Sequence, residues 1–173
     1  MRSLILGGAR SGKSALAERL ATQSGLEVIY IATAEAGDAE MQARIEQHRM
    51  RRPAHWRTVE CRRELAATLL HEAAPTRCLL VDCLTLWLSN LLCDADAAAL
   101  DTEQHALLQA LPDLRGRLIL VSNEVGQGVV PMGELSRRFV DTAGRLHQAL
   151  AAQCEQVLWV AAGLPLALKG DRP

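Results

Sequence analysis

Short, nearly continuous apolar runs alternate along this chain with stretches whose apolar positions recur every three or four residues. The runs cover residues 3–6, 28–32, 78–81, 118–122 and 157–161. Each is too short for a helix and apolar on successive positions, which reads as a strand covered on both faces. Between them Leu16/Leu20, Leu65/Leu69, Leu84/Leu88/Leu91 and Leu100/Leu107/Leu111 fall at helical spacing. The longest such stripe, Leu135, Phe139, Thr142, Leu146 and Leu150, predicts a helix packed on the core. Residues 164–169 are expected to return as an extra strand beside 157–161. Residues 94–113, Ala-rich, acidic and weakly patterned, are expected to form a peripheral excursion. Strand–helix alternation predicts the α/β class, with a mostly parallel central sheet flanked by helices. No repeat or linker divides the chain, so residues 1–173 are expected to form a single domain.

The first run leads directly into Gly7-Gly8-Ala9-Arg10-Ser11-Gly12-Lys13-Ser14, and a helical pattern follows from Ala15. Gly-x4-Gly-Lys-Ser between a strand and a helix is the phosphate-binding loop pattern. The glycines let the backbone curl so that successive N–H groups point at phosphate oxygens. Lys13 reaches the β- and γ-phosphates, and the Ser14 hydroxyl is placed to ligate Mg²⁺. The helix adds the partial positive charge of its N-terminus. The expected fold is therefore a single P-loop domain of the RecA-like kind, binding a nucleoside triphosphate.

Composition narrows the picture. With 173 residues, 49% of them hydrophobic, the chain can bury one good core. A net charge of −1 argues against a general nucleic-acid binder. Five cysteines without a CxxC pair predict neither disulfides nor zinc, and a reducing compartment. No segment has the form of a secretion signal, and the longest apolar stretch falls short of the ~20 residues a membrane span needs. The expectation is a soluble, cytoplasmic protein.

Two further elements carry chemistry. Asp82 closes the apolar run 78–81, where a carboxylate can hold Mg²⁺ opposite Ser14 or cap the helix that follows. Residues 44–57 hold five arginines and two histidines against one acid, Glu46. On a helix, Glu40, Arg44, His48 and Arg51 share one face, and Pro53 ends it. Neighbouring cations keep an imidazole neutral, and a neutral ring nitrogen can attack phosphorus while arginines neutralise the developing charge. His48 is thus a nucleophile candidate, against the plainer reading of an exposed basic face.

The loop at 7–14, Tyr30-Ile31-Ala32-Thr33, Arg44-Ile45-x-x-His48-Arg49-x-x-Arg52-Pro53, Trp56-Arg57-Thr58-Val59-Glu60, Asp82-Cys83-Leu84-Thr85, Asn90-Leu91-Leu92 and Ser122-Asn123-Glu124-Val125-Gly126-x-Gly128-Val129-Val130-Pro131 occur in that order. Together they resemble the bifunctional adenosylcobinamide kinase/adenosylcobinamide-phosphate guanylyltransferase family, across residues 3 to about 168. The resemblance implies a two-step enzyme of cobalamin nucleotide-loop assembly, using GTP and ATP as substrates with Mg²⁺. A nucleoside triphosphate phosphorylates the corrinoid adenosylcobinamide; GTP then gives GMP to that phosphate through a guanylylated histidine, releasing pyrophosphate. The family's nucleophile maps onto His48. Its nucleotide contacts map onto Gly7, Gly8, Ala9, Arg10, Ser11, Gly12, Lys13 and Ser14, and onto Ala32, Thr33, Ala34, Arg49, Met50, Arg51, Arg52, Glu60 and Asp82. The resemblance also points to a homo-oligomer, a trimer among the options.

Some relatives carry two adjacent histidines at the nucleophile; here Gln47 precedes His48, and His55 is the weaker second choice. Glu60 can accept from the guanine N1–H and 2-amino groups, or be a surface acid. Glu124 follows a predicted strand and precedes Gly126 and Gly128, where a mobile loop can form over substrate; strand-to-loop polarity explains it equally well, and it receives no catalytic role. Two other readings fit the residues alone: a P-loop kinase for another small alcohol, with 44–57 as a phosphate clamp, and a nucleotide-gated binding module.

Overall fold

The structure, a computed structural model, describes residues 1–34, 46, 50, 52–93, 98–171 and 173. Every predicted strand forms: β1 (Arg2–Gly7), β2 (Glu27–Ala32), β4 (Arg77–Asp82), β5 (Arg117–Asn123), β6 (Gln156–Ala161) and β7 (Leu164–Lys169). A further strand, β3 (Arg57–Glu60), lies between β2 and β4 in the chain. The helices are α1 (Lys13–Gln23), α2 (Leu65–Glu72), α3 (Leu84–Leu92), α4 (Ala99–Ala110) and α5 (Glu134–Gln153). One seven-stranded sheet runs β3-β2-β4-β5-β1-β6-β7, parallel throughout except for β7, which pairs antiparallel with β6.

Alternation along the strands divides the core. Leu4 and Leu6, Ile29 and Ile31, Leu79 and Val81, Leu118 and Leu120 face one layer, built with side chains of α2, α3, α4 and α5. Ile5, Val28, Tyr30, Leu80, Ile119 and Val121 face the other, where Leu16, Ala17 and Leu20 of α1 pack with Trp56. Both faces are covered, which is why these strands read as unbroken apolar runs. Four cysteines are buried small hydrophobes; Cys93 is exposed, and no disulfide occurs among the described residues.

Two expectations are corrected. The segment 94–113 is not peripheral where it is described: Leu100, Leu107 and Leu111 are all buried in the larger layer. Asp101, Thr102, His105 and Gln109 occupy the outward face of α4, and the leucines on its other side dock it. The stripe on α5 is fully buried only from Thr142 onward; Phe139 is half-buried against the core and Leu135 is 55% exposed. A helix of 20 residues spans about 30 Å and a six-residue strand about 20 Å, so the first turns of α5 overhang the sheet.

The unpredicted β3 has four mostly exposed residues, too few and too polar for a recognisable pattern. Its partner β2 and one ion-pair cluster hold it. Arg57 donates two hydrogen bonds to Glu72 of α2, one of 3.0 Å. Arg77 lies 3.4 Å from the same carboxylate and bonds Glu27 at 2.9 Å. The Arg57 hydrogen bonds, and to a lesser degree neighbouring His71, hold the nearly buried Glu72 carboxyl below its ordinary range against the opposing effect of burial. Its folded-state pKa lies below the unfolded one, so its contribution is complete above about pH 4.5 and is lost as pH falls further. Glu72→Gln should cost about 1–2 kcal/mol of stability at neutral pH, measured by urea denaturation. That cost should shrink when the titration is repeated near pH 3.

Candidate active site

The carboxyl ends of the parallel strands form one rim, where ligands of open α/β sheets bind. Gly7 pairs with Asn123 of β5 and Val160 of β6, Ala32 pairs with Asp82 and with Glu60, and Asp82 pairs with Val121. The predicted phosphate loop, Glu60 and Asp82 therefore share this edge.

The loop is built by close approach. A Cβ on Gly7 would lie 2.5 Å from both Ser11 Oγ and the Val160 carbonyl oxygen. Gly12 has φ 97°, and Arg10 adopts φ 55°, curling the backbone before α1. The Ser11 N–H donates to Gly8 O (3.2 Å), and Gly163 N–H donates to Ser11 O (2.8 Å), anchoring the loop to the β6–β7 turn. Helix α1 starts at Lys13 with no capping side chain and no acid in its first turn. Its leading N–H groups and positive end are thus not neutralised by α1's own side chains. Ser11 Oγ is buried without a hydrogen-bond partner among the described residues. A ligand oxygen would complete this donor-rich cradle. Ala9 and Arg10 are exposed, and Gly8 and Ser14 are half-buried at its mouth.

Lys13 is 8% exposed, and its Nζ donates to Gly8 O at 3.0 Å, across the loop. Burial pushes its pKa below that of an ordinary lysine, while Cys83 and Asp82 pull it back up. Asp82 accepts a 3.1 Å hydrogen bond from Tyr30 Oη on Oδ2. No side-chain cap is made at the start of α3, so Asp82 does not cap that helix. Burial and then Asp82 raise the Tyr30 pKa well beyond that of a free phenol, keeping it a neutral donor. The Arg52 guanidinium stacks 3.4 Å from the centre of the Tyr30 ring. Tyr30 thus links the end of the Arg-rich segment to Asp82, a role the spacing of the sequence did not assign.

Thr33 is fully buried. Its hydroxyl donates to Cys83 O (2.7 Å) and accepts from Cys83 N–H (2.9 Å), and its carbonyl accepts from Asn90 Nδ2 (2.9 Å). Its side chain shapes the turn after Asp82. Asn123 Nδ2 donates to Thr85 Oγ1 at 3.0 Å, tying β5 to the first turn of α3. Ala32, Ala34 and Arg52 are half-buried, while Glu60 and Met50 are exposed. His48, Arg49, Arg51 and Arg44 lie outside the described residues.

A strand–loop–helix phosphate cradle with a desolvated lysine and an acidic strand end defines a P-loop nucleotide-binding protein. Its likeness to solved structures supports the fold: the RadB recombinase (TM-score 0.50, 16% identity, 91% of this chain and 73% of that one), and PH0250 from Pyrococcus horikoshii (TM-score 0.54, 10% identity, 99% and 87%). The chain belongs to the cobinamide kinase/cobinamide phosphate guanyltransferase family, which it matches over residues 3–168, and it is an enzyme. It is 67% identical over 171 residues to the bifunctional adenosylcobalamin biosynthesis protein CobP of Pseudomonas aeruginosa, covering 99% of each chain. It is 41% identical over 182 residues to CobU of Salmonella typhimurium, covering 98% of this chain and all of the relative.

A methyl group at position 7 cannot be accommodated between Ser11 and the β6 backbone without opening the loop. Gly7→Ala should lower GTP affinity at least tenfold in isothermal titration calorimetry, with the sheet intact by circular dichroism.

Proposed function

We propose that residues 1–173 act as a single domain carrying out both steps of adenosylcobinamide activation. In the first, a nucleoside triphosphate phosphorylates the corrinoid hydroxyl. In the second, GMP passes from GTP to adenosylcobinamide phosphate through His48, releasing pyrophosphate. The observation that carries this reading is the buried Lys13 amine inside the Gly-rich loop, at the rim that Asp82 shares. Full-length similarity to proteins named as bifunctional in adenosylcobalamin biosynthesis supplies the substrate class.

The roles follow from the chemistry. Backbone N–H groups of residues 7–14, with Lys13, hold the phosphates and neutralise charge as the bond to the leaving phosphate breaks. The Ser14 hydroxyl and the Asp82 carboxylate are hard oxygen donors that suit Mg²⁺, which takes few protein ligands alongside phosphate oxygens and water. When bound there, Mg²⁺ supplies charge neutralisation of the phosphates. Tyr30 fixes Asp82 and seats Arg52 at the same rim. Arg49, Met50, Arg51 and Arg52 follow His48 directly, so a nucleotide held by the loop and by this segment brings its α-phosphate to the imidazole. In the attack, the ring nitrogen forms the N–P bond and pyrophosphate departs; the acceptor phosphate then displaces the histidine. Glu60, at the end of β3, reads the guanine edge.

Dependence on GTP places the enzyme with the cytoplasmic nucleotide pool, and among the described residues no helix is long and apolar enough to cross a membrane. Exposed Leu164, Leu166 and Leu168 on the edge strand β7 support assembly into a homo-oligomer, a trimer being the form we propose.

Incubation with Mg²⁺ and GTP labelled at the α-phosphate should leave an acid-labile label that peptide mapping places on His48. His48→Ala should abolish that label and GMP transfer while keeping phosphorylation of adenosylcobinamide within a few-fold. Absence of label from the wild type would favour a plain alcohol kinase.

A further inference from the structure

Phosphorylating an alcohol requires a group that takes the hydroxyl proton, within about 3 Å of the attacking oxygen. Strand position decides which residues qualify. Neighbouring strands lie about 4.8 Å apart, so a base carried at a strand end beside the phosphate loop of β1 comes from β5 or β6. The end of β6 and its turn read Ala161-Ala162-Gly163, with no titratable side chain. Asp82 is two strands away and engaged by Tyr30; Glu60 is four strands away, about 19 Å. Among the described residues, that leaves Glu124, directly after β5.

The surroundings of Glu124 are built. Its backbone N–H donates to Gly7 O at 3.0 Å, fixing it to the first residue of the phosphate loop. Its Oε1 accepts from Gly126 N–H at 2.5 Å. Its Oε2 faces Nδ1 of the buried His147 at 3.7 Å, beyond hydrogen-bond length, while His147 Nε2 lies 2.7 Å from Ser122 Oγ. The side chain is 20% accessible, enough to meet substrate. One oxygen is therefore held by the backbone, while the other faces the ring beyond hydrogen-bond length and keeps its lone pairs. Burial lowers the His147 pKa, so a neutral ring stands behind the carboxylate.

Resting on the two-step reading above, we propose that Glu124 is the catalytic base of the phosphoryl-transfer step. The corrinoid hydroxyl oxygen forms a bond to the γ-phosphorus, the bond to the β–γ bridging oxygen breaks, and a nucleoside diphosphate leaves. The hydroxyl proton passes to Glu124 Oε2 and then to water when product departs. The second step makes no such demand, because its attacking phosphate is already ionised.

That difference supplies the test. Full-length wild type and Glu124→Gln are assayed for phosphorylation of adenosylcobinamide and, separately, for GMP transfer from GTP to adenosylcobinamide phosphate. E124Q should lose about 10²–10⁴-fold in phosphorylation kcat, with nucleotide KM and GMP transfer each within about threefold of wild type. In Glu124→Ala, added formate should restore part of the phosphorylation. Retained GMP transfer shows the variant is folded. Full phosphorylation by E124Q, or equal loss of both steps, would overturn the assignment. If the wild type lacked phosphorylation, the two-step reading itself would fall, and this inference with it.

Discussion

The organising constraint of this structure is the desolvation of one ammonium group inside a loop whose backbone is drawn tight enough to meet phosphate. Lys13 is nearly buried, its charge is disfavoured by that burial, and its ammonium donates a hydrogen bond to Gly8 O. An anion relieves both defects at once, since it pairs the ammonium and satisfies the leading N–H groups of α1. Neighbouring features keep this arrangement from relaxing. Gly7 lets Ser11 and the β6 backbone close in, and the β6–β7 turn clamps Ser11 O. The sheet order sets β5 and β6 on either side of the loop strand.

The two faces of the sheet have different duties. The larger layer, with α2 to α5, is nearly all aliphatic and holds the strands in register. The smaller layer, under α1, ends at the rim in polar side chains: Tyr30 on Asp82, Arg52 on Tyr30. Each contact leaves a charged group oriented by a neutral or aromatic neighbour rather than cancelled by an opposite charge. Where full pairing does occur, as in Arg57–Glu72–Arg77, it fastens an edge strand instead of lining the rim.

Most strands were legible because burial on both faces imposes uninterrupted apolar runs, and the helices because leucines returned at helical spacing. β3 was not, since Arg57, Thr58, Val59 and Glu60 have no pattern of their own and gain strand conformation only from β2. The docking of α4 rests on Leu100, Leu107 and Leu111, whose burial depends on neighbours distant in sequence. The overhang of Leu135 likewise depends on where the sheet ends. The loop 7–14 was readable at the level of single residues, whereas the double hydrogen bond of Thr33 to Cys83 was not.

The sequence by itself determined the fold class, the phosphate loop, the acidic strand end and the family, because each depends on residue types at short, fixed spacing. Tertiary structure alone decided that β5 lies between β1 and β4, that Tyr30 joins Arg52 to Asp82, and that His147 stands behind Glu124. Strand order and side-chain partnership are long-range outcomes of packing. They arise from which apolar faces bury each other best, and no local spacing encodes that choice.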